Sequence, residues 1–206
     1  MLFVRRLCSR VNRLVLHIDG SVYLLLAFML LLLPLPWMIA MIIAILVHEC
    51  FHAAAISLLG GSVFSIHVGA QGIRMETDAL SSGKEIICAV AGPIGSALLI
   101  LLSPRMPRIA ICGAFHCIYN LLPLFPMDGG RILRSILMLC LPQERGGRVF
   151  AVLQNAFRFI VVVLCCWCCW RFGLLLLPVT ALFLLRTGKR ENCLTTGRFG
   201  STIASE

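Results

Sequence analysis

Apolar runs at about 21–36, 37–59, 85–102, 109–127, 150–171 and 172–186 take up most of the chain. Several approach the roughly 20 residues that a helix needs to cross a bilayer, and lipid tolerates only backbone that satisfies its own hydrogen bonds. Composition agrees: 60% of the 206 residues are hydrophobic and 13% are charged. The mean hydropathy of +0.97 is far above that of a water-soluble globule. The prediction is an all-α polytopic membrane protein of about six transmembrane helices, the first and last of them short.

The formal net charge of +9 raises the question of nucleic acid, but no basic patch with interleaved aromatic residues is present. The basic residues fall in short segments between apolar runs, where they set orientation in the lipid bilayer. A cytosolic N-terminus puts Arg131, Arg134, Arg145, Arg148, Arg186, Lys189, Arg190 and Arg198 inside, against Arg105, Arg108 and Arg171 outside. Arg5, Arg6, Arg10 and Arg13 precede the first run without a small-residue cleavage site, so residues 1–20 read as an uncleaved basic cytosolic arm. Residues 21–186 then form the membrane domain and 187–206 a short polar cytosolic tail. Pro34 and Pro36 break the first pair of crossings, 103–108 makes a tight polar turn, and Leu141 to Arg148 reads as a basic loop.

The second run contains His48-Glu49-Cys50-Phe51-His52, the pattern H-E-x-x-H, and from Val22 to Leu59 there is no other charge. Two imidazoles four residues apart share a helix face and can grip one Zn²⁺, leaving Glu49 to handle a proton; this is metalloprotease chemistry. Ionisable groups inside a spanning segment cost at least a few kcal/mol each, so they mark function. A tetrahedral catalytic zinc needs a third protein ligand and an open position. If the second crossing runs outside to inside, both histidines lie in its cytosolic half, and the end of the fourth crossing brings Asp128 to the same side. Asp128 is therefore the best candidate, with His116 as its competitor. Blander roles exist beside these. Asp128 in Met-Asp-Gly-Gly also suits a turn, Asn120 and His116 can bridge helices one turn apart, and His17 and His67 suit loops or the interface.

Together, H-E-x-x-H and Asn120-Leu121-Leu122-Pro123-Leu124-Phe125-Pro126-Met127-Asp128-Gly129-Gly130 resemble the site-2 protease family of intramembrane metalloproteases, over about His17 to Arg131. The resemblance implies that His48, His52 and Asp128 hold Zn²⁺, that Glu49 activates water, and that Asn120 helps to position substrate. The stretch Leu16-His17-Ile18-Asp19-Gly20 is similar to the sporulation-type branch. That likeness implies a membrane-tethered pro-sigma factor as substrate, small membrane regulatory proteins as partners, and a bacterial cytoplasmic membrane with the active site toward the cytosol. Two positions depart from the family pattern: Phe51 stands where glycine is frequent, and Ser96 ends Gly92-Pro93-Ile94-Gly95-Ser96 where G-P-x-x-N is expected. About twenty residues follow the last run, too few for the nucleotide-binding domain common in that branch.

In this reading Glu49 takes the proton of a water acidified by Zn²⁺ and returns it to the leaving amine. A helical substrate hides its carbonyls and must unwind before it is cut. The stretch from Gly60 to Gly72 alternates partly and predicts a small β-hairpin near the active site, with a free edge for the unwound segment and Ser65 as the place to block it. The 11 cysteines are odd in number and most lie in apolar runs, which argues against a disulfide framework. Neighbours in Cys165–Cys169 point to different helix faces, so packing or acylation suits them better than a zinc site. Two other classes remain in view. A metal or ion transporter predicts acids and histidines in several crossings, whereas here they concentrate in two; a catalytically inactive homologue that binds membrane partners would not need His48, Glu49, His52 and Asp128 intact.

Overall fold

Pro34 and Pro36 decide where the first helices separate. A residue before proline is pushed out of the α region, and Leu33 is accordingly extended at φ −117°, ψ 136°, ending helix α1 (Ser21–Leu32). Helix α2 (Leu35–Leu58) starts at once, because Pro36 sits in its first turn, where a missing N–H costs nothing. The computed structural model describes residues 15–69, 72–78 and 80–172 of the chain. These belong to two compact units, Met1–Gln143 and Glu144–Glu206.

Every fourth residue of α2 is buried: Ala40, Ala44, His48, His52 and Ile56. The alanines let neighbouring helices come close, which is how helices associate in lipid, where burial of apolar surface gives no advantage. Ile39, Ile42 and Leu46 face outward instead. Ala40 and Ala44 pack with Leu99 and Cys112 in one cluster, and Ala55 and Ile56 pack with Cys88 in another.

Past α2 the chain turns through Gly60, whose φ of +81° suits glycine. Strands β2 (Val63–Gly69) and β3 (Gly72–Thr77) then form the antiparallel hairpin that the alternation predicts. A third strand was not expected: β1 (Val15–Ile18), from the segment read as a cytosolic arm, pairs parallel with β2, and the order is β1-β2-β3. Ser65 is thus in the middle strand, opposite Val15 and Glu76, and proline there would break the sheet rather than block an edge. Among the described residues the sheet's edges belong to β1 and β3. His17 stacks on His67 with centroids 4.6 Å apart. The Ser65 hydroxyl donates to Glu76 and holds its carboxyl below the usual carboxylate range. Val63 and Met75 pack on the Ala55–Ile56–Cys88 cluster, which sets the sheet about one helical turn from His52.

Helix α3 (Ser82–Leu98) runs on into a 3₁₀ turn at Leu99–Leu102, and α4 (Pro107–Asn120), α5 (Asp128–Cys140) and α6 (Gln143–Phe172) follow. Among the described residues, Leu35–Leu58, Ser82–Leu102 and Gln143–Leu164 are long and apolar enough to cross a membrane, and α1 is a shorter apolar helix. The run at 109–127 does not make one crossing helix: α4 stops at Asn120, and its 14 residues rise only about 21 Å of the roughly 30 Å of hydrocarbon. Pro123 and Pro126 explain the stop. Leu141 to Arg148 is likewise not a loop. Only Leu141 and Pro142 interrupt the helices, because Pro142 immediately precedes a first turn and Gln143, Glu144 and Arg145 are good helix formers. Residues 1–14 of the arm, nearly all of the run at 172–186, the tail at 187–206, and the side chains of Cys165, Cys168 and Cys169 lie outside the described residues.

Candidate metal centre

His48 and His52 reach the bundle interior because the alanine ridge of α2 carries their face inward, and both are buried at 2% and 6% exposure. Asp128 reaches the same point from a different segment. It opens α5 in that helix's first turn, where the helix dipole favours a carboxylate. The chain from Leu121 to Met127, which includes a cis Phe125–Pro126 peptide, folds back over this helix start. Two glycines allow it: a Cβ on Gly129 would overlap the Leu121 carbonyl oxygen, and one on Gly130 would come within 2.5 Å of the Leu124 carbonyl carbon.

The three side chains converge. His48 Nε2 lies 3.0 Å from His52 Nε2 and 3.0 Å from Asp128 Oδ2, and His52 Nε2 lies 3.1 Å from the same oxygen. Ligands about 2.0–2.1 Å from a tetrahedral zinc stand about 3.3 Å apart, so this triangle has the size and the N, N, O chemistry of such a site. Gly92 of α3 closes one side: a Cβ there would overlap His52 Nε2 and lie 2.7 Å from His48 Cε1. Among the described residues this is the sole group of three or more His, Cys, Asp or Glu side chains close enough to hold an ion.

Glu49 occupies the flank of α2 beside the pair, half-buried, and its carboxyl lies within electrostatic range of His52, Asp128 and Arg131. His116 is not in the triad. Its ring stands edge-on to His48 with centroids 4.5 Å apart, and its Nδ1 lies 3.4 Å from Ser96 Oγ. Asn120, one turn further along α4, donates its amide to the His116 backbone carbonyl at 3.0 Å. Phe51, where glycine was expected, is accommodated by a gap on α3, since a Cβ on Gly95 would come within 2.5 Å of its ring. His17 and His67 lie on the sheet.

Sequence reading treated Ser96 only as a departure and missed Cys88, Glu85 and Arg131. His48 Nδ1 is 3.0 Å from Ser96 Oγ, and His52 Nδ1 is 2.7 Å from the Cys88 carbonyl oxygen. Arg131 Nη1 is 3.4 Å from Asp128 Oδ1. The signal available was the spacing 85, 88, 92, 96, which marks one face of a helix.

Apolar helices enclosing a buried His-His-Asp triangle with a carboxyl alongside define a membrane protein built around a site that suggests zinc. Comparison with known proteins agrees. Residues 21–121 match the family model described as Peptidase M50B-like. Over 172 residues the chain is 25% identical to a zinc metalloprotease of Methanocaldococcus jannaschii, covering 75% of this chain and 48% of that protein. The chain therefore spans about half the length of that relative. Its fold is similar to that of the site-2 protease from Methanocaldococcus jannaschii, with a TM-score of 0.68 and 19% identity over 87% of this chain and 91% of the other. These likenesses support the site-2 protease family for the fold and for the segment that carries both histidines.

Proposed function

We propose that this chain belongs to the site-2 protease family and works as an intramembrane zinc metalloendopeptidase, cutting a peptide bond in or near a transmembrane segment of another protein. One observation carries the reading: His48, His52 and Asp128, from segments far apart in sequence, bring ligand atoms within 3.1 Å of one another inside a bundle of apolar helices.

His48, His52 and Asp128 are the residues that would hold the metal. Zinc bound there supplies an acidified water and a polarised peptide carbonyl. Glu49 takes the proton from the attacking water and returns it to the leaving amine. Asn120, at the end of α4, is assigned to positioning substrate. The substrate enters as a locally unwound segment, because a helix hides its carbonyls in its own hydrogen bonds.

The finer reading follows the sequence. A 1–20 arm and a 187–206 tail in the cytosol, with the site on the cytosolic side, are supported by the distribution of Lys and Arg, and a bacterial membrane by the sporulation-type likeness. Likeness of Leu16–Gly20 to the sporulation-type branch supports a membrane-tethered pro-sigma factor as substrate and small membrane proteins as regulators. A transporter would spread ionisable side chains along a path, whereas these form one cluster.

The test uses the purified chain in detergent with a tagged single-span membrane protein. Cleavage should stop on chelation and return with added Zn²⁺. Cleavage that persists in fully metal-stripped protein, or zinc flux in proteoliposomes with no cleavage, would reject the proposal.

A further inference from the structure

We propose that a single stripe of α3, Glu85, Cys88, Gly92 and Ser96, orients all three metal-holding side chains, and that Ser96 and the Arg131–Glu85 pair are positioning residues for that centre. The inference rests on the reading that the triad holds a metal.

Each ligand is gripped on the side away from the triangle. For His52 the partner is the Cys88 carbonyl, which can only accept, so Nδ1 carries the proton and Nε2 presents its lone pair to the centre. His48 meets the Ser96 hydroxyl at 3.0 Å. This hydroxyl is fully buried at 0% exposure. With Nε2 turned to the metal, His48 Nδ1–H is left to donate to this hydroxyl, whose own hydrogen can go to His116 Nδ1 at 3.4 Å, so the hydroxyl has a partner for each role. Asp128 divides its carboxylate: Oδ2 faces both histidines and Oδ1 faces Arg131 Nη1 at 3.4 Å. Arg131 Nε in turn lies 3.8 Å from Glu85 Oε1 on α3.

Steps of three, four and four residues separate 85, 88, 92 and 96, so these positions lie along one helix face. Gly92 supplies space in that stripe and its neighbours supply contacts. Such outer partners fix ring orientation and ligand basicity, and losing one ordinarily costs 10–100-fold in metal affinity. Serine at 96 thus gives His48 a polar partner. Gly113 fits α4 against the same spot, since a Cβ there would stand 2.8 Å from the Ser96 carbonyl oxygen.

The rival explanation is that these bonds only pack helices together. Cobalt(II) titration of full-length, metal-stripped protein in detergent, with chelator competition, separates the two. Ser96→Ala and Arg131→Gln should each weaken metal binding by about 10–100-fold and alter the visible spectrum of the bound cobalt, while the thermal midpoint of the metal-free protein stays unchanged. Ser96→Thr, which keeps the hydroxyl, should restore affinity. Tight wild-type binding with unaltered affinity in both variants would overturn this inference alone, as would a weakening matched by a fallen metal-free midpoint. Wild type that takes up no metal would overturn the proposed function and this inference with it.

Discussion

Glu49→Gln is expected to lower cleavage of a membrane substrate by about 10²–10⁴-fold while the protein keeps its metal and its thermal midpoint. The change is nearly isosteric, so what it removes is the ability to take up and release a proton, a step that ordinarily contributes about 10²–10⁴-fold. Glu49 adjoins His48 in sequence, is half-buried on the flank of α2, and stands within electrostatic range of His52, Asp128 and Arg131. It is not one of the three clustered ligands. Rate and metal content should therefore separate. Parallel measurement of product formation and bound zinc checks this, and a variant that still cuts at close to the wild-type rate would remove Glu49 from the chemistry.

Gly92→Ala is expected to be nearly as damaging by a different route. The added methyl would overlap His52 Nε2, the atom assigned to the metal, and would sit 2.7 Å from His48 Cε1. His52 cannot swing away freely, because its Nδ1 is held at 2.7 Å by the Cys88 carbonyl. Either the ring loses that bond or α2 and α3 part, and overpacking of this kind costs roughly 1–3 kcal/mol. The expected result is loss of stoichiometric metal and of cleavage, with a lowered thermal midpoint. Wild-type zinc content in this variant would mean that the close approach of α2 and α3 is wrong.

Most of the site was legible because its chemistry is local. H-E-x-x-H is a five-residue pattern on one helix, and its isolation in an apolar run makes it stand out. Asp128 lies beside the histidines, although the fourth crossing from which its side of the membrane was inferred stops short at Asn120. What the sequence hid depends on contacts between elements. Serine at 96 looks inert in a run of small residues until α3 is laid against α2, and the Cys88 contribution is a backbone carbonyl that no side-chain pattern encodes. Arg131 was counted as a topology signal, whereas its guanidinium faces Asp128. In the fold, apolar length overstated the helix at 109–127, where two prolines matter more than hydropathy. Short strands such as Val15–Ile18 have too few residues to declare a partner, and β1 finds its partner about fifty residues away, at Ser65–Val68.

The central claim is that α2 and the start of α5 together hold one divalent ion. Elemental analysis of purified, detergent-solubilised protein tests it most directly. The account predicts about one zinc per wild-type chain and little in His52→Ala or Asp128→Ala. Wild type without stoichiometric divalent metal, or Asp128→Ala that keeps it, would contradict the account.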